Sequence, residues 1–231
     1  MISIERVVDL TRPIGTDISM WPGTPQPAFE ARVTVDQHGF FARLAHLWEH
    51  TGTHLDAPAH FIAAAATVDA LPADKLVCPA VLVDVADRCA VDRDYAMTVE
   101  DVERFELAYG RVPAGGAVLV RTGWDAFLDD RERYMGPEGD LHFPGVGEEA
   151  ARFLVVERGA IGIGIDTLGI DPGKETAFSV HRHGTLPNGA WNLEGLVNLA
   201  EVPATGFWIT VGVLPLVGGS GAPARVFALI G

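Results

Sequence analysis

Basic side chains are scarce in this sequence. Lys and Arg together number 17 against 31 Asp and Glu, which leaves a formal net charge of −14. A chain that acidic is poorly suited to phosphate backbones and anionic lipid, so roles at nucleic acids and membrane surfaces are disfavoured. Long hydrophobic runs are also lacking. No stretch reaches the roughly 18 unbroken apolar residues of a membrane span. The opening residues Met1 to Arg6 lack a basic region followed by an apolar core, so no secretory leader is expected there. Cysteine is nearly absent. Cys78 and Cys89 are too few for a disulfide framework or a zinc finger and are expected to be reduced structural thiols, with the cytoplasm as compartment. Internal repeats, low-complexity tracts and polar linkers are missing as well. The 231 residues, 48% of them apolar, are therefore expected to form one domain spanning 1–231 with a sizeable core. Its 26 glycines and 15 prolines are spread throughout, as in a turn-rich chain.

Several apolar runs read as buried strands: Ala80 to Val85, Ala117 to Arg121, Ala160 to Ile165, Phe207 to Leu214 and Arg225 to Ile230. Residues from about Phe41 to His50 also read as a strand, because Leu44, His46, Trp48 and His50 share one parity. Helices are fewer. Thr98 and Asp101 form a capping signal ahead of Val99, Val102 and Phe105, and Glu148 to Arg158 is amphipathic with Gly159 as its stop. A third short helix is expected from about Asn192 or Leu193. The first 30 residues look irregular, since Trp21 to Pro27 holds three prolines. The chain is thus α/β or α+β, with more strand than helix.

Three of the eight histidines fall within eleven residues, as His50-x3-His54-x-Asp56-x3-His60. Imidazole and carboxylate are ligands of zinc, manganese and similar divalent ions. In a straight strand His50 and His54 sit roughly 13 Å apart, whereas two ligands of one ion lie within roughly 4 Å of each other. The geometry therefore calls for a strand ending near His50, a sharp turn at Gly52, and His54 and Asp56 folded back beside His50. Far downstream come His181-Arg182-His183 and Glu194. Alone, Glu194 reads as a helix-start carboxylate favoured by the dipole; beside a metal cluster it reads as a ligand, since a buried carboxylate needs a cation.

At these residues the sequence resembles the metal-dependent cyclase and kynurenine formamidase family, which also includes isatin hydrolases. The signature His-x-Gly-Thr-His-x-Asp-x-Pro-x-His runs from His50 to His60 without a departure. Weaker matches are Asp9 to Ile14, Trp21-Pro22-Gly23, Val120 to Trp124, Gly164 to Thr167, Val180-His181-Arg182 and Leu193 to Leu196. The resemblance implies a mixed α/β domain around a curled, barrel-like sheet with flanking helices, assembled as a dimer or tetramer. It also implies a hydrolase with one or two divalent ions, zinc or manganese. The positions of His50 and His54 then bind the first ion, that of Asp56 touches both, and that of Glu194 bridges or caps them. The position of His60 serves as proton shuttle and that of Trp21 borders the substrate. His60 read from its neighbours alone is equally a third ligand or a partner of Asp56. Two departures stand out. The span from His181 to Gly189 is one residue longer than expected, so His183 competes with His181 as the downstream ligand of the second ion, and His181 is favoured because it sits in Val-His-Arg. And Leu168-Gly169-Ile170-Asp171 replaces a Ser before the second Asp, which reshapes the pocket.

The expected activity is cleavage of an amide C–N bond in a small aromatic or cyclic substrate, arylformamidase-like or isatin hydrolase-like. Cyclisation or dehydration of a polyketide-like substrate on the same site is the enzymatic alternative, and a non-catalytic metal-binding module is the other. Gly218-Gly219-Ser220-Gly221-Ala222 nearly spells a nucleophile elbow, but no histidine follows Ser220, so the chain order of that class is impossible. The partner is then a small molecule, with neither nucleic acid nor membrane. Phe40, Phe41 and Trp48 are expected in the core, and the arm around Trp21 is expected to reach a neighbouring subunit's pocket.

Overall fold

The structure is a computed structural model that describes residues 3–231; Met1 and Ile2, which open the stretch read for a leader, lie outside the described residues. Twelve strands follow one another in the chain: β1 Arg6–Asp9, β2 Ala28–Val33, β3 Ala42–His46, β4 His54–Asp56, β5 Val77–Asp84, β6 Ala96–Met97, β7 Ala117–Arg121, β8 Gly145–Val146, β9 Gly162–Ile165, β10 Trp191–Glu194, β11 Phe207–Val213 and β12 Gly221–Ile230. Seven of them close into a ring in the order β12, β11, β5, β7, β9, β10, β4 and back to β12, with β1 added along the second half of β12. The β5–β7–β9–β10 arc is parallel and the remainder antiparallel. This is the mixed α/β architecture around a curled sheet that the resemblance implies.

The apolar strands are buried on both faces, which is why they read as unbroken runs rather than alternations. Ala80, Leu82, Ala117, Leu119, Trp191 and Leu193 join Leu55, Ile209 and Val226 inside the ring. Their neighbours Val81, Val83, Val118, Val120, Ile163 and Ile165 pack outward against Met97, Phe105 and Leu154. The ring interior is crowded enough to demand glycine. A Cβ on Gly162 would fall into the Trp191 ring, and one on Gly164 would lie 2.8 Å from both Leu119 and Leu196. The helix Val99–Tyr109 carries the expected capping box between Thr98 and Asp101. Glu148–Arg152 is α-helical and continues as a π turn over Phe153–Glu157, with Gly159 at φ +73° after it. Buried Asp166 ties the ends of β7 and β9 together by accepting the N–H groups of Thr122, Gly123 and Trp124. Both cysteines are buried and free. No helix among the described residues is long and apolar enough to cross a membrane.

Four expectations are corrected. Asn192 and Leu193 do not begin a helix; they lie in β10, where Trp191 and Leu193 alternate inward and Asn192 and Glu194 outward, a period of two. The strand from Phe41 is shorter, ending at His46, and it belongs to a separate β2–β3 ribbon whose second strand is exposed throughout. With no apolar layer behind the ribbon, Phe40, Phe41 and Trp48 are exposed rather than packed in the core. Finally, β12 begins four residues before Arg225, because Gly221, Ala222 and Pro223 pair with β4 and close the ring. Their Gly-Ala-Pro composition reads as a turn when pairing partners are unknown.

Candidate metal centre

The signature segment folds as its composition requires. Thr51 donates its hydroxyl to the Trp48 carbonyl at 2.5 Å, Gly52 turns the chain at φ +63°, and Thr53 donates to the Gly195 carbonyl at 2.6 Å. The chain then enters β4, with Leu55 in the ring and His54 and Asp56 on its outer face. Antiparallel pairing with β10 sets Glu194 opposite His54 and Asn192 opposite Asp56. Two side chains 140 residues apart thus meet because they share a register and a face.

Five expected residues converge here. His50 Nδ1 lies 2.6 Å from Asp56 Oδ1, and His54 Nε2 lies 3.3 Å from that oxygen and 3.4 Å from Glu194 Oε2. His181 Nε2 lies 3.2 Å from Asp56 Oδ2 and 3.3 Å from Glu194 Oε1. His60 stacks on His50 with ring centroids 3.9 Å apart. His183 is not brought in: it is exposed on the far side of its turn, 3.5 Å from Glu148. The turn that carries both histidines, Val180–Gly184, is π-helical, with Thr185 donating to the Val180 carbonyl at 2.9 Å. A π turn holds one residue more than an α turn, the local form that a one-residue insertion takes.

Each imidazole facing the acids is anchored through its other nitrogen, as metal-ligating histidines are. His54 Nδ1 is 3.0 Å from the Gly52 carbonyl, and His181 Nδ1 is 2.5 Å from Asp171 Oδ2. Asp171 itself accepts the Val180 N–H at 2.7 Å, and Glu194 accepts the Ile170 N–H at 2.7 Å. Asp171 therefore has a function the sequence reading missed, where it figured only as part of an altered pocket sequence.

Buried acids and imidazoles shift one another strongly here. Burial pulls the His54 imidazole down, but Asp56 and then Glu194 outweigh it and push it up to about 9. His181 is likewise disfavoured by burial yet held well above the ordinary value by Asp171, Asp56 and Glu194. Burial raises Asp56, and the surrounding imidazoles more than reverse that, holding it well below the usual carboxylate range. His60 goes the other way: burial and the neighbouring imidazoles bring it down to about 4 against the pull of Asp56. Two sets of ligand atoms, from His50, Asp56 and His60 and from His54, Asp56 and Glu194, each lie within 4.8 Å of one another and share Asp56. Asn192, in register with Asp56, is fully buried and neither of its amide atoms has a partner, so polar demand on this face is unmet. Nitrogen and oxygen donors with no sulfur suit a divalent zinc- or manganese-like ion.

The cluster forms the floor of a cavity of about 260 Å³. Its walls include Trp21, Trp48, Phe61 and Phe178. Phe178 holds φ +56°, a costly conformation for a bulky residue, and its ring sits 5.6 Å from Trp21 and 5.5 Å from Phe61. Trp21, expected to border the substrate, lines this cavity of its own chain. Phe61 and Phe178 had no signal in the sequence beyond their nearness to His60 and His181.

Comparison with known proteins agrees with this geometry. The Cyclase family model matches residues 8–172. An isatin hydrolase of Roseibium aggregatum is 31% identical over 97% of this chain and 91% of its own length. A kynurenine formamidase of Salinibacter ruber is 29% identical over 95% of both. The solved isatin hydrolase A of Ralstonia solanacearum superposes with a TM-score of 0.91 at 31% identity, over 98% of this chain and 92% of that one. With the family model matching most of the chain and the solved relative superposing along nearly its whole length, the chain belongs to the Cyclase family.

Proposed function

We propose that this chain, working as one domain over residues 1–231, is a metal-dependent hydrolase that cleaves a non-peptide amide C–N bond in a small aromatic or cyclic substrate. The observation that carries this reading is the meeting of three imidazoles and two carboxylates on the floor of an aromatic-walled cavity. A divalent cation held there, zinc or manganese and one or two per subunit, supplies an acidified water and a Lewis acid for the carbonyl oxygen. His50, His54, Asp56, His181 and Glu194 hold it, and Asp171 and the Gly52 carbonyl keep two of the imidazoles aimed. His60, which burial keeps neutral at pH 7, takes a proton from the attacking water and delivers it to the departing nitrogen. Trp21, Phe61 and Phe178 bracket a flat ring above the cluster. No Lys or Arg lines the cavity, so an anionic product meets positive charge only at the metal.

A volume of about 260 Å³ is at the small end of ligand sites. That suits a one- or two-ring amide and disfavours the long chain a polyketide cyclase would have to fold. A closed structural metal site, for its part, gains nothing from an open aromatic cavity beside its ligands. Isatin, N-formyl aromatic amines and small lactams, assayed with zinc or manganese present, test the reading; turnover of none of them sinks it. His60→Ala is expected to keep its metal, measured by elemental analysis, while kcat drops about 10²- to 10⁴-fold. Loss of the metal in that variant makes His60 a ligand instead.

The working form is a homo-oligomer, a dimer or tetramer, in the cytoplasm, where the two buried free thiols stay reduced. The β2–β3 ribbon supports the assembly. A lone two-stranded ribbon is marginal in water, and this one carries Phe40, Phe41, Leu44 and Trp48 exposed on or beside it. Light scattering is expected to give a multiple of the chain mass, and Phe41→Glu with Leu44→Glu to give the monomer.

A further inference from the structure

The Gly219-Ser220-Gly221 turn has no part in the hydrolase reading, yet it sits directly against His50. Ser220 Oγ lies 2.9 Å from His50 Nε2. The same hydroxyl donates to Glu49 Oε2 at 2.7 Å, and the Ser220 N–H donates to that oxygen at 3.0 Å. A carboxylate only accepts, so the hydroxyl proton is committed to Glu49. Ser220 Oγ can then meet His50 only as an acceptor. His50 therefore carries a proton on Nε2, and Nδ1, 2.6 Å from Asp56 Oδ1, is the nitrogen that faces the cluster and exchanges its own proton for a cation. Gly221 provides the room. A Cβ there would lie 2.7 Å from His50 Cε1 and 2.5 Å from the Leu55 carbonyl oxygen, so any side chain displaces the ring or the strand. His54 and His181 present the opposite nitrogen, Nε2, and are anchored through Nδ1.

We propose that Glu49 and Ser220 are a positioning pair that fixes the tautomer and orientation of His50 so that it binds the cation through Nδ1. The inference rests on the metal-centre reading above. It makes the Gly-Ser-Gly turn a seat for one ligand rather than a nucleophile elbow. Its reach is confined to the ligand His50 and the Asp56 oxygen it faces; His54, His181 and Glu194 touch neither residue.

The test is titration of metal-free protein with Co²⁺ and Zn²⁺, read by cobalt absorption bands and by competition with a chelating dye. Ser220→Ala and Glu49→Gln are each expected to weaken cation binding about 10- to 100-fold, as loss of a ligand's outer hydrogen bond does. The double variant should lose no more than either single one, since both act through the same ring. Ser220→Thr, which keeps the hydroxyl, should restore wild-type affinity and bands. Nitrogen-detected NMR of the Zn²⁺-loaded protein adds a readout independent of turnover: His50 is expected as the Nε2–H form in the wild type, with that proton lost to solvent exchange in Ser220→Ala. Wild-type affinity and bands in both Ser220→Ala and Glu49→Gln overturn the proposal. A wild-type protein that binds neither cation fails differently, because it removes the metal centre itself.

Discussion

Asp56→Asn is expected to abolish binding of the cation at both ligand sets and to lower kcat/KM by about 10⁴ or more, toward the level left when the metal's contribution is gone. The change is nearly isosteric, so the effect is chemical. Asp56 is completely buried, and its two oxygens face His50 and His54 on one side and His181 on the other. An amide replaces one of those oxygens with an NH₂ group, which has two donors and no lone pair to give. Whichever way the amide turns, a partial positive charge replaces either the oxygen shared by His50 and His54 or the one facing His181, and both ligand sets lose the carboxylate's negative charge. The lost negative charge adds to this: a pair of unit charges 4 Å apart interacts by about 4 kcal/mol at an effective dielectric of 20, and the ion is divalent and closer. Asp171→Asn is a useful contrast. It touches His181 from outside the cluster, so a loss of about 10- to 100-fold in affinity is expected, not abolition. Elemental analysis after dialysis measures the first effect, and turnover with excess zinc or manganese the second. A further readout needs no metal. Asp56 is the main group raising His54, so in the variant the His54 resonances should titrate well below the wild-type value of about 9. Stoichiometric metal and normal turnover in Asp56→Asn would contradict the assignment of the site.

The local part of this site is legible because local chemistry fixes it. A helix would also bring two histidines four apart together, but Thr51-Gly52-Thr53 is weak helix material, which leaves the glycine turn. The strands Val77–Asp84 and Ala117–Arg121 are equally readable, since burial on both faces leaves no alternation to mislead. Glu194 was found for its chemistry but on the wrong element. A four-residue strand alternating apolar and polar is hard to tell from a helix start until its neighbours β4 and β9 are known. Asp171 and Phe178 depend on a loop whose course is set by distant packing, and no spacing rule reaches them. The ribbon misled for the opposite reason. Its alternation signals a buried face, yet no apolar layer of this chain lies behind it, so Leu44 and Trp48 are exposed despite a core-like pattern.

A second large effect is expected when metal is removed and pH is varied. In the metal-free protein protons take the place of the cation. His54, at about 9, and His181, raised well above its ordinary value, are charged at neutral pH beside an ionised Asp56. The folded-state value of His54 exceeds the unfolded 6.5, so its stabilising contribution is complete below pH 6.5 and is lost as pH rises through about 9. That shift corresponds to stability on the order of 3 kcal/mol, or a fall in Tm of roughly 10 °C for a chain this long. Asp166, which burial raises to about 6, finishes ionising at the start of this window and adds slightly to the fall, and burial pushes Cys78 up to about 11, above it. Metal reverses the sign. A cation needs the neutral imidazole, so it must displace these protons, and its apparent affinity should climb about tenfold per pH unit for each proton released, levelling near pH 9. The melting curves of chelator-treated and metal-loaded protein should therefore separate steadily from pH 6.5 to 9. Calorimetric titration in buffers of differing ionisation enthalpy should register release of at least one proton per ion at pH 7. A metal-free Tm that stays flat or rises over this range, with no protons released on loading, would mean that the histidines beside Asp56 are neutral without a cation, and the electrostatic case for the centre would fall.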